Sequence, residues 1–408
     1  MKMLLLNGHG INMHVDGAKL YVKDGRFSVD DEPKEYVFSP KRMEFDNIVI
    51  YGRSGDMSID AIRWLIKHNV QVTILNWDGK LLTTMLPPES VQVKTKFAQY
   101  ESYKNPILRV DIARQIIQTK LERSKTLLDW LKTRYPDVDY DFTAEEDRLV
   151  RAATIPEIIR AEARIAGQYW KQIINIIPDK YEFVTRQYAD TPFGAGDVVN
   201  CMLNYGYALL EAECLRAIHA AGLDPHVGFL HEMKMGSNSL AYDMQEPFRF
   251  LIDLAIISII EKGLMEKSDF IRTENYNLRL RPSGAKKIIN EINNEINKKI
   301  NYQGMQYSWH YVLMTKTREL AHFLADKKES IEFNKPTIVL NRIDTEDLRQ
   351  QIIDISYVEW KKLGFSKGTL HYMKQNATQN KPFTVNKHVK ERLEELKVGI
   401  KSIKTGIK

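Results

Sequence analysis

Cysteine is nearly absent: Cys201 and Cys214 are the only two in 408 residues, too few for a disulfide framework and without the CxxC spacing of structural zinc. A disulfide-stapled secreted scaffold is excluded, and a reducing compartment fits. Long apolar runs are missing too. No stretch approaches eighteen uninterrupted apolar residues, and the run in MKMLLLNGHG is too brief for a signal peptide. The expectation is a soluble, cytoplasmic protein with no membrane partner. The GxxxxGK[ST] loop that cradles nucleotide phosphates is absent, and so are repeats and low-complexity tracts. The nearest to a biased tract, NEINNEINKKINYQ, keeps the apolar spacing of a helix.

Acidic residues are missing from one particular place. Residues 361 to 390 hold seven lysines and no Asp or Glu, and from Asn341 onward fourteen Lys and Arg face eight Asp and Glu. That excess equals the whole formal net charge of +6, so the preceding residues are balanced. A basic field concentrated in one segment points to nucleic acid.

What is present, 43 % hydrophobic and 27 % charged residues, can bury a sizeable core, and 408 residues exceed what one core usually supports. Up to about residue 85, near-alternating segments such as NMHVDGAKLYVKDGRFSV with DG turn signals, NIVIYG and VQVTILNWDGKLL read as short strands around one amphipathic helix, DAIRWLIKHN. Beyond PPES the apolar period becomes helical, from ILRVDIARQIIQTKLERSKTLLDWLKTRY through VVNCMLNYGYALLEAECLRAIHAAG. IEFNKPTIVLNRI reads as an extended linker. The expected fold class is α+β multidomain: a small β-rich domain over 1–90, a large α-helical domain over 91–335, and a C-terminal helix-turn-helix over 344–408.

The stretch GFLHEMKMGSNSLAYDMQEPFR, residues 228 to 249, sets His231, Asp243 and Glu246 beside the most apolar run of the chain, FRFLIDLAIISII. Unpaired buried charge costs several kcal/mol, so a compensating partner is required. Leu240 to Ile260 reads as one helix capped by Ser237, Asn238 or Ser239, with Asp243 and Glu246 on one face at i, i+3. In IPEIIRAEARIAGQYW, Glu162 shares a stripe with Ile158, Ile165 and Tyr169, a position the pattern reserves for apolar residues. A divalent cation shared by Glu162, His231, Asp243 and Glu246 would compensate all of them, and oxygen-rich ligation with one imidazole favours magnesium or manganese. Ordinary alternatives stand beside that reading: a capping or core histidine, an Asp243 stabilised by the helix dipole, a Glu162 paired with Arg160 or Arg164. Trp170, Tyr205 and Arg249 lie close in sequence to these residues, with stacking or phosphate contact set against core packing or a structural salt bridge.

From the N-terminus to about residue 330 the sequence resembles the CRISPR-associated integrase family (Cas-one). The resemblance is carried by IVIYG with DAIRWLIKHNVQVTILNWDGKLL, by VVNCMLNYGYALLEAECLRAIHAAGLDPHVGFLHE, and by SLAYDMQEPFRFLID. It implies a metal site on Glu162 in RAEARIAGQYW, His231 in GFLHE, and Asp243 and Glu246 in YDMQEPFR. It also implies a dimer formed through the N-terminal part, with a larger assembly on DNA. The glycine often found after the family's glutamate is Ala163 here.

Past the usual end of the family, DTEDLRQQIIDISYVEWKKLGFSKGTLHYMKQNA has the layout of a helix-turn-helix, with a helix to Leu363, a turn at Gly364 and a cap at Ser366. Its second helix would carry Lys367, Thr369, His371 and Lys374 to a major groove, with Lys381, Lys387 and Lys390 on phosphates. With this addition the chain is similar to the casposases, transposon-encoded prokaryotic relatives of the CRISPR integrase. That resemblance implies joining the 3′-hydroxyl ends of a mobile element to double-stranded target DNA by metal-dependent transesterification. A spacer-inserting CRISPR integrase and a non-catalytic DNA-binding protein with a structural metal are the competing expectations.

Overall fold

The computed structural model describes residues 2–378 apart from 27–31, 53, 77–78, 88–91, 187–194, 273–277, 339, 341–348, 350–351, 363 and 365. It divides into two units, Met1–Ile338 and Val339–Lys408.

The N-terminal strands are β1 (Met3–Gly8), β2 (Ile11–Asp16), β3 (Lys19–Lys23), β4 (Glu35–Phe38), β5 (Asn47–Gly52), β6 (Gly55–Met57), β7 (Gln71–Leu75) and β8 (Leu81–Met85), with helix α1 (Ile59–Lys67) before β7. They form two four-stranded sheets, ordered β1-β5-β7-β8 and β4-β3-β2-β6. The first is parallel except for its β7–β8 pair. The DG signal after β2 makes a two-residue hairpin: Asp16 pairs with Lys19, and Gly17 and Ala18 both take positive φ, the geometry that matches strand twist. Alternation puts Leu4, Leu6, Met13, Leu20, Val22, Ile48 and Val72 into one core, closed by Trp64 and Leu65 of α1.

The helical part follows as α2 (Val93–Lys104), α3 (Pro106–Lys132), α4 (Thr143–Arg151), α5 (Ile155–Ile176), α6 (Val198–Ala221), α7 (Ser239–Gln245), α8 (Arg249–Glu261), α9 (Pro282–Asn297) and α10 (Trp309–Leu324). Short β-pairs, β9 (Phe270–Arg272) with β10 (Leu278–Leu280) and β11 (Lys299–Tyr302) with β12 (Met305–Ser308), flank α9. Local chemistry sets the ends. Asn105 accepts from the amides of Ile107 and Leu108 with Pro106 at the first helical position, and Asp197 accepts from Asn200 N at 2.8 Å. Buried on nearly all sides, α6 is the central post. The parallel sheet seats on it through Gln71 Nε2 to the Ala212 carbonyl (3.1 Å) and Asn47 Nδ2 to Glu213 Oε1 (2.9 Å).

Two expectations are corrected. The helix expected over Leu240–Ile260 is broken at Glu246–Phe248 into a single 3₁₀ turn between α7 and α8. Pro247 has no N–H to continue the α ladder, and the turn re-aims Glu246. The expected linker is in part core: Ile331, Phe333 and Ile338 are buried, and Phe333 is held by a hydrogen bond from Arg123 Nη2 at 3.1 Å.

In the second unit, described residues include helices Tyr357–Lys362 and Lys367–Thr378 with Gly364 between them. Trp360 of the first is buried, and Leu370, Met373 and Ala377 of the second are buried at helical spacing. Ser366 Oγ accepts from Thr369 N at 3.2 Å, and Trp360 Nε1 donates to the Ser366 carbonyl at 2.9 Å. Lys381, Lys387 and Lys390 lie outside the described residues. Among the described residues no helix is long and apolar enough to cross a membrane.

Candidate metal centre and its cavity

Glu162 from the middle of α5, His231 from the connection after α6, and Glu246 from the 3₁₀ turn all line one cavity of about 1010 Å³. Asp243 is not on that wall. Its side chain is 0 % exposed, and its carboxylate faces the chain that carries the histidine. Oδ2 accepts from the amides of Phe229 and, at 3.0 Å, Leu230; Oδ1 accepts from the His231 amide at 3.0 Å and from His231 Nδ1 at 2.7 Å. One buried carboxylate therefore folds residues 229 to 231 around itself and fixes the imidazole, leaving Nε2 as the nitrogen not engaged by Asp243. Gly228 permits that approach, since a Cβ there would sit 2.8 Å from Asp243 Oδ2 and from the Ser239 backbone. Burial works against a charged His231, but the hydrogen bond and charge of Asp243, with Glu246, outweigh it and raise the imidazole pKa.

The partner of Glu162 is neither Arg160 nor Arg164. Lys120 of α3 places its ammonium 2.5 Å from Glu162 Oε1 and 2.6 Å from Glu246 Oε2. The first contact is a directed hydrogen bond. The second is ionic only: Glu246 Oε2 is buried and makes no hydrogen bond of proper geometry. Arg249 Nη1 reaches the other oxygen, Oε1, at 3.4 Å. Burial alone would raise the Glu246 carboxyl, yet Lys120 and Arg249 overcome it and hold the group down to about 2. Burial would likewise lower Lys120, but Glu246 and Glu162 push it up to about 12. The Lys120–Glu246 pair is reciprocal, so those two groups both stay charged at neutral pH.

In kind, one imidazole and two carboxylates suit a hard divalent cation, and the buried Glu246 oxygen has a lone pair to give. In spacing, the ammonium stands between the carboxylates, and no three His, Cys, Asp or Glu side chains among the described residues are set to hold an ion as placed. The donor types fit such a cation, while their spacing in this structure accommodates the Lys120 ammonium instead.

Around this centre the cavity wall is cationic and aromatic. The Arg249 guanidinium lies 4.1 Å from the Tyr207 ring centroid, with Arg186 5.3 Å from the same ring. Tyr207 and Tyr169 both donate to the buried Asp253 carboxylate, Tyr169 at 2.7 Å, and burial raises the pKa of Asp253 despite those bonds. Trp170 lines the cavity but is 9 % exposed and packs edge-on against Tyr169 and Phe183. Tyr205 is core, 1 % exposed against Tyr51. In the second unit Lys367, Thr369 and His371 are exposed, while Lys374 donates to the Ile353 carbonyl at 2.8 Å.

Two residues escape the sequence reading. Lys120 and Arg123 sit on the α3 stripe with Ile112, Ile116 and Ile117, so the argument that singles out Glu162, a charge at an apolar position, singles them out as well. Arg123 is 3 % exposed, donates to the Pro247 and Phe333 carbonyls, and lies 4.9 Å from the Phe248 ring centroid.

The sequence profile described as CRISPR associated protein Cas1 matches residues 11–294. The CRISPR-associated endonuclease Cas1 1 of Archaeoglobus fulgidus is 27 % identical over 345 residues, covering 80 % of this chain and 97 % of the relative. Among solved structures, a casposase bound to integration product is 57 % identical with a TM-score of 0.83, covering 88 % of this chain and 100 % of that one. A Cas1 protein from Thermotoga maritima shares the fold at TM-score 0.65 and 18 % identity, over 80 % of this chain and 98 % of its own. By its profile match and its identity over a whole casposase chain, this chain belongs to the Cas1 family and, within it, stands with the casposases.

Proposed function

We propose that the protein is a DNA integrase of casposase type, joining the 3′-hydroxyl ends of a mobile element to target DNA in a reaction that depends on magnesium or manganese. The observation that carries this reading is the convergence of Glu162, His231 and Glu246 from three separate elements on one cavity whose wall also holds Arg249 and Arg186. A catalytic set assembled across the fold beside cationic groups suits a phosphodiester.

In the reaction a 3′-hydroxyl attacks a target phosphorus, one P–O bond forms, another breaks in line, and the proton passes from the attacking oxygen to the departing 3′-oxygen. No nucleotide triphosphate enters, because one phosphodiester replaces another. When bound on Glu162, His231 and Glu246, a divalent cation would stabilise charge on the phosphoryl oxygens and lower the pKa of the attacking hydroxyl. Asp243 acts behind the site by fixing the His231 ring, so three ligands and one positioning carboxylate replace the expected four ligands. Arg249 and Arg186 offer guanidinium charge to phosphate.

Residues 344–408 serve as the DNA-reading unit, a helix-turn-helix in which Lys367, Thr369 and His371 face a groove. The exposure of these three on a helix capped by Ser366 supports this. Lys374, held by the Ile353 carbonyl, supports the helix rather than the DNA. Residues 1–90 are assigned to dimerisation, 91–335 to chemistry, and the location to the cytoplasm at the nucleoid.

The test is strand transfer: a duplex donor with free 3′-hydroxyls, a supercoiled plasmid, and manganese or magnesium, with wild type beside His231→Ala and Glu246→Gln. Covalent joining by wild type alone establishes the integrase. If all three bind DNA and none joins any of several donor ends, the protein is a DNA binder with a structural centre.

A further inference from the structure

Lys120 is the one cation that touches both carboxylates of the centre in the described structure, at 2.5 Å and 2.6 Å. Its side chain is largely buried, 16 % exposed, so the pair is shielded from solvent. Three observations set its role. First, α5 and the 3₁₀ turn at Glu246–Phe248 bring two carboxylates together at the cavity, and two like charges near each other in a low dielectric repel unless a cation lies between them. Second, the ammonium serves them unequally, with a directed hydrogen bond to Glu162 and an off-axis ionic contact to Glu246. Third, Arg249 Nη1 reaches only Glu246 Oε1, at 3.4 Å, so the facing oxygens Glu162 Oε1 and Glu246 Oε2 share the single charge of Lys120, a place a divalent ion could take. Lysine is a point charge on a flexible four-carbon stem, and this one also lines the cavity, so space lies open for its head to move.

We infer that Lys120 is a built-in counter-ion that holds the Glu162 and Glu246 carboxylates in place before metal arrives and is displaced into the cavity when a divalent cation takes its position. This inference rests on the metal reading of the site. It makes the ammonium a competitor of the metal, so the protein folds its centre without metal at the expense of metal affinity. A lysine that merely braced α3 against α5 would stay on both carboxylates in either state and would leave the affinity unchanged.

The experiment is manganese binding, followed by the paramagnetic signal of free Mn²⁺, for wild type, Lys120→Met and Lys120→Gln, with His231→Ala as the control. Removing the ammonium is expected to tighten binding about tenfold or more, about 1.4 kcal/mol or more by that conversion. It is also expected to lower the melting temperature without metal while enlarging the rise that saturating Mn²⁺ produces. Unchanged or weaker binding by a folded variant overturns the inference while leaving the metal site standing. Equal and negligible binding by wild type and His231→Ala overturns the metal reading itself. Should both lysine variants fail to fold, a crystal structure of the wild type with Mn²⁺ decides. Displacement of Nζ beyond about 4 Å, the usual ion-pair limit, from Glu162 or Glu246 supports the inference, and retention of both contacts overturns it.

Discussion

Replacing Asp243 by asparagine tests whether that carboxylate is a metal ligand or a brace. The side chain receives the amides of Phe229, Leu230 and His231 and the His231 ring, two donors on each oxygen. Whichever oxygen becomes an amide NH₂, two donors then face a donor. At about 1.5–3 kcal/mol for each hydrogen bond to a charged group, the loss is about 3–6 kcal/mol before relaxation. That is a large share of an ordinary folding stability of about 5–15 kcal/mol. The imidazole, no longer oriented, should cost Mn²⁺ affinity about 10- to 100-fold, the range typical for a partner behind a ligand. Urea unfolding and Mn²⁺ titration of Asp243→Asn read both quantities. A variant as stable as wild type that has lost Mn²⁺ binding altogether would refute the reasoning, because that pattern belongs to a direct ligand. Gly228→Ala reaches the same bonds from the other side: its Cβ, 2.8 Å from Asp243 Oδ2, should lower stability and affinity together.

Arg123→Met removes both carbonyl contacts at Pro247 and Phe333, and with partial relief of a buried charge it should cost about 2 kcal/mol in a urea melt; an unmoved midpoint rejects this brace. For Asp253 the raised folded pKa means that the folded state keeps a proton the unfolded chain has released, so its contribution is present at acid pH and is lost as pH rises above the ordinary aspartate range of about 4. The destabilisation caused by Asp253→Asn should therefore shrink from about pH 4 to pH 7, and a penalty that grows with pH contradicts the assignment. Deleting residues 344–408 should weaken DNA binding and flatten its dependence on salt while the Mn²⁺ affinity of the first unit is retained. Identical salt slopes for the two forms would show that the basic segment is not the DNA reader.

Much of the architecture is legible in local pattern. Period-two alternation with DG turns marks the strands, the 3.6 period marks α3, α5 and α6, and Asn105–Pro106 marks a helix start, because each depends on neighbours a few residues away. The break at Pro247 is a local signal too, masked in a sequence reading by the strong apolar period around it. Glu162, His231 and Glu246 are likewise visible as candidates, Glu162 because a charge on an apolar stripe demands a partner and the other two because they stand beside the most apolar run of the chain. Asp243 shows where such reasoning stops. Its place at i, i+3 from Glu246 says which residues are near, but the direction of its carboxylate depends on a loop folding back over Gly228.

The sequence by itself thus determined most of the elements, the candidate site residues and the need for compensation at each buried charge. Only the tertiary structure decided who compensates whom. Lys120 and Glu162 lie 42 residues apart, on helices whose meeting depends on packing the whole core, and no period or cap encodes that distance. Asp243 meets the amides of residues 229 to 231 and Lys120 meets two carboxylates for the same reason: hydrogen bonds and ion pairs are settled by direction and distance in space, which a chain acquires only when its apolar surfaces have found one another.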